Sequence, residues 1–492
     1  MATLRNYLDA LGELCLDWRG DDQILIAGAA SDSRDVRPGW LFCAIPGARE
    51  DGAKYVPSAL GQGASCILAE RPLAVPAGVA TILVSDAYAA AGRVAEVAAG
   101  HPAERLRVLG ITGTNGKTTC AFLLRQILRA AGRKPAMIGT VEYDLCGETI
   151  PADRTTPTPF RLQALIGQAA QHGASDLVVE VSSHALAQRR LGQMPVAGAL
   201  FTNLTGDHLD YHPTFEDYYA AKRLLFTECL ADGAPAVINI EDDHGARLHA
   251  ELVAEKRVRP ISVGEAGGAE ARIVDLRTGL DGSAFTLALP DRAPRLHSPL
   301  IGKHNVENLA GAATLAWALG VPTPTIQEAC QDCTGAPGRL EAVTAPQGFA
   351  VYVDYAHTDD ALENVLKALR QLSPKRILVV FGCGGDRDTT KRARMGEVAA
   401  RLADRVIVTS DNPRTEDPET ILDDIESGIP AACLRTRLAD RRAAIRAAVA
   451  EAQAGDVVLV AGKGHEEYQE IHGNKLPFSD IQEVRAAIAD RS

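Results

Sequence analysis

The chain has 492 residues, 46% hydrophobic and 23% charged, an ordinary soluble mixture with room for about three domains at roughly 150 residues each. Its 51 Lys+Arg against 63 Asp+Glu leave a formal charge of −12, which repels a phosphate-rich polymer and argues against nucleic acid as a partner. No apolar run approaches the ~18 residues of a membrane span, and the opening MATLRNYLDALGEL has acids where a secretion signal has a basic start, so the expected compartment is the cytoplasm.

Residues 1–102 mix short strand-like runs (Ile24–Ile26, Trp40–Ile45, Ser65–Leu68, Ala80–Val84) with loops and close on an Ala-rich helix that stops at Gly100-His101-Pro102, which predicts a small α/β domain. Residues 103–336 alternate strand and helix: RVLGIT, TTCAFLLRQILRAAG, DLVVEVSS, VAGALFTNL and APAVINI, then a helix near Asn305–Leu319. That pattern predicts a central domain with a mostly parallel sheet. Residues 337–492 repeat it in FAVYVDYAH, RILVVFGCGG, DRVIVTSDNP and DVVLVAGKG, which predicts a further α/β domain. In such sheets the polar residues after the strands build the site. The ten cysteines are scattered; Cys330 and Cys333 lack the further ligands of a zinc site and read as buried thiols flanking a helix end.

Thr112-Gly113-Thr114-Asn115-Gly116-Lys117-Thr118-Thr119 follows a strand and opens a helix. Glycines at 113 and 116 let the backbone wrap a phosphate, main-chain amides and the helix N-terminus stabilise its charge, Lys117 reaches the β/γ oxygens, and Thr118 can ligate Mg²⁺. The spacing departs from the strict Walker pattern, because a glycine five residues before Gly116 would fall on Ile111. Glu180 closes the apolar strand DLVVE; burying it ionised is costly without a cation, so it reads as a Mg²⁺ ligand or else as a solvated edge position. His208, in TNLTGDHLD, reads either as a packed core histidine or as a ligand beyond a strand.

GTNGKTT, EVSSHALAQRR, TNLTGDHLDYH, YAAAKRLLF, GKHNVEN, VDYAHTDDALEN, FGCGGDRD, SDNPRTEDP and AGKGHEEYQ, in this order, resemble the Mur ligases over nearly the whole chain. The resemblance implies a UDP-precursor-binding N-terminal domain, a central ATP-binding domain and a C-terminal, Rossmann-like amino-acid-binding domain. It also implies an ATP-dependent ligase of peptidoglycan biosynthesis that joins meso-2,6-diaminopimelate to the D-glutamyl γ-carboxylate of UDP-N-acetylmuramoyl-L-alanyl-D-glutamate through an acyl phosphate. Two polyanions must meet, hence ATP with two Mg²⁺ ions, Lys117 and the loop amides.

By motif position Thr118 and Glu180 would hold one Mg²⁺ and His208 the second. Lys222, which alone reads as a surface lysine, matches a lysine carbamylated by CO₂ (N6-carboxylysine). Ser31, Ser33 and the turn Ala48-Arg49-Glu50 match the UDP-binding segments, and Thr155, Thr156, Ser182, Gln188 and Arg190 those that hold the sugar and peptide. His304, Asn305, Arg339 and Asp354 match residues that close over ATP. Asp411-Asn412-Pro413-Arg414 matches the diaminopimelate motif, with Arg387, Gly462 and Glu466 lining the same pocket: the Arg414 fork would pair with the distal carboxylate that lysine lacks, and Asp411 or Glu466 would take the ammonium. Arg154 stands where the resemblance leads one to expect a small amide, and Asp359 where proline is common, which predicts a looser loop.

Two other readings compete. Folylpolyglutamate synthase shares the ATPase plan, but the N-terminal domain of about 100 residues and the DNPR segment argue against it. A nucleotide-gated switch would favour an Asn-Lys-x-Asp string, and Asn474-Lys475-Leu476-Pro477 lacks the aspartate.

Overall fold

The computed structural model describes residues 2–47, 50–205 and 211–491. Ala48, Arg49 and His208 lie outside the described residues. The chain forms two compact units, one of Met1–Val274, Thr286–Pro294 and Glu307–Ala329, the other of Asp275–Phe285, Arg295–Val306 and Cys330–Ser492. Among the described residues no helix is long and apolar enough to cross a membrane.

The first unit begins with a five-stranded sheet of β1 (Cys15–Arg19), β2 (Gly28–Ala30), β3 (Trp40–Cys43), β4 (Cys66–Ala69) and β5 (Ala80–Val84), ordered β1-β5-β4-β3-β2. Only β1 runs antiparallel, against β5. Helix α1 (Ala87–Ala99) covers it; Asp86 caps its start and Gly100, left-handed, ends it. Its alanines at 87, 90 and 91 with Val94 bury one face against Leu41, Leu68 and Ile82, the apolar stripe of a helix seated on a sheet.

The same unit holds most of the larger sheet, built on β6 (Arg107–Thr112), β7 (Pro135–Ile138), β8 (Glu142–Asp144), β9 (Thr149–Pro151), β10 (Asp176–Glu180), β11 (Val196–Phe201), β12 (Pro235–Asn239), β13 (Arg259–Gly264) and the start of β14 (Ala271–Gly279). The order is β9-β8-β7-β10-β6-β11-β12-β13-β14. From β7 to β14 the pairings are parallel, so helices cover both faces and the central strands read as unbroken apolar runs. Glu180 pairs in register with Ile111, and Phe201 with Thr112. Helix α2 (Lys117–Ala130) follows β6, and α3 (Pro159–Gln171), α4 (Ser183–Ala187) and α5 (Phe215–Leu224) follow in turn.

The second unit contains β15 (Glu341–Val343), β16 (Ala350–Asp354), β17 (Ile377–Phe381), β18 (Arg405–Val408), β19 (Arg435–Arg437) and β20 (Val457–Ala461), ordered β15-β16-β20-β17-β18-β19. All its pairs but β15·β16 are parallel. Separate apolar clusters pack its two faces, one around Leu366, Val379 and Leu422, the other around Val380, Ile445 and Val484. A hairpin of β21 (Tyr468–Ile471) and β22 (Asn474–Pro477) follows β20. Asp359 falls in the first turn of the helix Asp359–Gln371, capped by Thr358, rather than in a loose loop. Proline and an acid both suit that first turn, the one for its fixed φ and the other for the helix dipole.

Candidate active site

At the carboxyl end of β6 the chain wraps into the phosphate loop. Gly113 has φ +148° and Gly116 +84°; a Cβ on the first would lie 1.8 Å from Thr202 Oγ1, and on the second 2.3 Å from Asn308 Oδ1. Only glycine fits either place. The loop is also tied from outside. Thr114 N donates to Asn203 O (2.8 Å), Asn115 N to Asn203 Oδ1 (2.9 Å), and Thr202 Oγ1 to Asn115 O (2.6 Å). Lys117 Nζ bridges the carbonyls of Gly113 and Thr114, both at 2.8 Å, which curls the loop around its ammonium. Thr119 is buried in the first turn of α2.

Thr118 Oγ1 donates to Glu180 Oε2 at 2.8 Å. The carboxylate is fully buried, and Thr140 supplies its other donors, N to Oε1 at 2.8 Å and Oγ1 to Oε2 at 3.0 Å. Among the described residues no basic side chain pairs with it. A buried carboxylate beside a threonine hydroxyl, with only neutral donors among the described residues, fits the hard oxygen set that Mg²⁺ requires.

Thr140 Oγ1 also meets Thr155 Oγ1 at 3.1 Å, while Thr156 Oγ1 donates to Glu180 O (2.7 Å) and accepts from Ser182 N (3.0 Å). Arg190 donates to Thr156 O (2.6 Å) and, through Nε and Nη2, to Gln188 Oε1 at 3.0 and 2.8 Å. Thr155, Thr156, Ser182, Gln188 and Arg190 are thus one connected group beside Glu180. Arg154 lies next to it with its backbone on the Tyr143 hydroxyl, O accepting at 2.7 Å and N donating at 3.1 Å.

Lys222, on α5, is buried with Nζ 2.7 Å from Gly113 O and 4.4 Å from the Tyr218 ring centroid. It lies under the phosphate loop, not on a solvated helix face. A carbamate nitrogen keeps one N–H, so this hydrogen bond can persist in the modified form. His208 falls outside the described residues.

Ser31 and Ser33 line a cleft of about 1430 Å³ together with Arg37, Trp40, Phe160 and Gln163. Thr158, which starts α3, lines it too, so residues 155–158 run from the Glu180 group to this cleft. Glu50 accepts a hydrogen bond from the Tyr55 hydroxyl; Ala48 and Arg49 are outside the described residues.

In the second unit, Asp411 and Asn412 are buried beyond β18. Asn412 Nδ2 donates to Glu466 Oε2 (2.8 Å), and Lys463 Nζ reaches both Asn412 Oδ1 and Glu466 Oε2 at 3.0 Å. Both contacts fall on Oε2 of Glu466. Pro413 O seals the same loop against Gly385, where a Cβ would lie 2.0 Å away, and Gly462 (φ +120°) has no room for a Cβ beside Asp411 Oδ2 at 2.5 Å. Arg414 is left-handed at φ 55°. It is stitched to β21 by Arg414 N to Glu470 O (3.0 Å), and its Nε lies 3.7 Å from Glu470 Oε2. Arg387 is exposed with its guanidinium 3.5 Å from Asp386 O, and among the described residues it makes no bond to the Asp411–Glu466 group.

Asp354 takes the amides of Leu340 (2.6 Å) and Ala356 (2.8 Å). Burial pushes its carboxyl up, against the pull of Arg339. Arg339 lies 4.8 Å over the Tyr355 ring. Asn305 Nδ2 donates to Ile301 O at 3.0 Å, and His304 is exposed in the first turn of the helix Lys303–Ala318.

Sequence reasoning missed Thr140, Asn203, Asn308 and Lys463. Asn308 and Lys463 lie inside the strings GKHNVEN and AGKGHEEYQ, and a fully buried lysine right after an apolar strand was a readable signal. It also missed Arg441, whose buried pair with Asp480 (2.8 and 2.7 Å) donates to Ala461 O at 3.0 Å and anchors the end of β20.

Three family models match the chain: "Mur ligase family, catalytic domain" over 25–110, "Mur ligase middle domain" over 111–316, and "Mur ligase, glutamate ligase domain" over 338–464. The chain is 45% identical, over 95% of both chains, to a Synechococcus elongatus protein described as UDP-N-acetylmuramoyl-L-alanyl-D-glutamate–2,6-diaminopimelate ligase. It is 42% identical to one of the same description from Geobacter metallireducens, covering 100% of this chain and 98% of that one. A solved structure of that description aligns over 99% of both chains at 33% identity and TM-score 0.73. The Thermotoga maritima MurF ligase with ADP shares the fold, at TM-score 0.60 and 19% identity.

Proposed function

The chain belongs to the Mur ligase family, and from that premise we propose that it adds meso-2,6-diaminopimelate to UDP-N-acetylmuramoyl-L-alanyl-D-glutamate at the expense of ATP. The observation that carries the reading is the hydrogen-bonded series Thr118–Glu180–Thr140–Thr155, which joins the phosphate loop to the segment assigned to the acceptor. In this reading residues 1–102 hold the UDP end, residues 103–336 carry the phosphoryl chemistry and residues 337–492 take the amino acid. The need for ATP places the reaction in the cytoplasm.

A carboxylate is a poor acyl donor. The D-glutamyl γ-carboxylate therefore takes the γ-phosphoryl of ATP and ADP leaves; the free amine of diaminopimelate then attacks the acyl carbon, loses a proton, and phosphate departs. The loop amides and Lys117 hold the phosphates. Thr118 and Glu180 would hold Mg²⁺, with His208 serving a second ion; the metal supplies charge neutralisation between the two anions. Carbamylated Lys222, beneath Gly113, would supply an anionic arm where a plain ammonium would repel a cation. Gln188 and Arg190 orient the acceptor through the group around Thr156.

The test is phosphate release with ATP, the UDP-muramoyl dipeptide and diaminopimelate, each omitted in turn. Release is expected only with all three. Lys117→Ala should abolish it while leaving precursor binding nearly intact. Release without the dipeptide would favour a nucleotide switch, and release with a folate acceptor would favour the polyglutamate-forming alternative.

A further inference from the structure

Glu96 sits in the last turn of α1, 7% exposed, with no basic side chain paired to it among the described residues. Its carboxylate faces the turn 188–194 instead. Gln193 N donates to Glu96 Oε1 at 2.6 Å, while the next amide, Met194 N, closes the turn on Leu191 O at 3.3 Å. The two backbones are in near contact: a Cβ on Gly92 would lie 2.6 Å from Arg189 O, and one on Gly192 would lie 2.1 Å from Glu96 Oε1. The turn is left-handed at Gly192 (φ 64°), where glycine is unstrained, and at Arg189 (φ 50°), where a side chain makes that shape costly without outside support.

The Gln188–Arg190 pair rides on this turn. Three donors of Arg190 are fixed on Thr156 O and Gln188 Oε1, and burial works against its charge. A partly desolvated guanidinium held this way is set for an anion, and its placement depends on the turn beneath it.

We infer that Glu96 is a positioning residue for acceptor recognition: through the amide of Gln193 it fixes the turn 188–194, and with it the Gln188–Arg190 fork that meets the anionic end of the precursor. The inference rests on the reading that Gln188 and Arg190 bind the precursor. An ionised carboxylate accepts this amide more strongly than a neutral one. Burial raises the Glu96 carboxyl to about 7, with the Gln193 and Met194 amides and Arg93 opposing and Glu104 reinforcing; Cys229, its own thiol raised by burial, feels the same charge. Arg93 is engaged elsewhere, on Leu11 O and Glu13. The clamp therefore tightens as pH rises through neutrality.

The experiment titrates the UDP-muramoyl dipeptide calorimetrically into the full chain and into Glu96→Ala and Glu96→Gln from pH 6 to 8.5, alongside KM for precursor and for ATP. The Gln193 amide left without its acceptor predicts that Glu96→Ala weakens precursor binding about 10-fold with ATP KM and kcat nearly unchanged. Glu96→Gln should recover most of the affinity and lose the pH dependence that distinguishes the parent; titration of the precursor itself cancels in that comparison. Equal precursor affinity in parent and Glu96→Ala at every pH, or parallel losses for ATP and precursor with a lowered Tm, would overturn the inference. If Glu96→Ala does not fold, the Glu96→Gln profile decides, and a profile as steep as the parent's counts against the clamp. A parent that ligates normally beside an unresponsive Glu96 series sinks this inference alone; a parent that binds no precursor sinks the reading beneath it as well.

Discussion

Two side chains show how position changes the meaning of a residue type. Lys222 is buried under Gly113, where a methylene stem with no charged end would leave the Gly113 carbonyl without this donor and remove any anionic arm. Lys222→Ala should be nearly inactive, and added formate or acetate should restore part of the rate if the arm is anionic; no rescue across a concentration series would remove the carbamate role. Arg414, by contrast, is about a fifth exposed; its Nη1 donates to Gly385 O at 2.5 Å, while its Nε lies a loose 3.7 Å from Glu470 Oε2, so the fork is aimed by a neutral carbonyl and its charge is only loosely paired. Pairing with the distal carboxylate of diaminopimelate would complete it. Because the site is partly open, the loss on Arg414→Ala belongs at the low end of the range for truncated charge pairs, about 2 kcal/mol or roughly 30-fold. The readout is kcat/KM for diaminopimelate and for lysine, and the ratio should contract by that factor. An unchanged ratio would return Arg414 to the role of a turn residue.

Among the elements, the phosphate loop is the least tolerant. Gly116→Ala must place a Cβ 2.3 Å from Asn308 Oδ1 at φ +84°, which adds left-handed strain of about 1–2 kcal/mol to a clash with a buried amide. ATP-dependent turnover should fall at least about tenfold through ATP KM, with precursor affinity retained; a variant with parental ATP KM would show that the loop can open. Much of this element was legible beforehand: the strand RVLGIT is β6 residue for residue, and the helix after it begins at Lys117. The apolar strands of the parallel sheets were legible too, because both faces are covered and the runs are unbroken. Thr140 was not, since its place against Glu180 is set by the β7–β10 pairing, 40 residues away in the chain. Nor was Glu96, 97 residues from Gln193: in sequence it is one acid in an Ala-rich helix, and nothing local marks it as buried. The side chains that hold the site from behind act across tertiary contacts, and period and spacing carry no record of those.

For the molecule as a whole, Glu96 also couples position to stability. Its carboxyl is raised from 4.5 to about 7 in the folded chain, so the folded state binds this proton more tightly than the unfolded one. The contribution is fully present below about 4.5 and is lost as pH rises through about 7. The same ionisation that strengthens the hold on Gln193 therefore costs the fold, on the order of 3 kcal/mol at most. Glu96→Gln cannot ionise. Its amide imposes whatever offset its own hydrogen bonds require, but that offset is independent of pH, and every other titrating group cancels when the two proteins are compared. The Tm of Glu96→Gln minus that of the parent should accordingly rise between pH 4.5 and 7 and level off above, read by thermal unfolding across that range with the transition of the first unit followed on its own. A difference that stays flat would mean that Glu96 titrates as an exposed acid does, and the buried carboxylate would then be no part of what sets the pH response of this ligase.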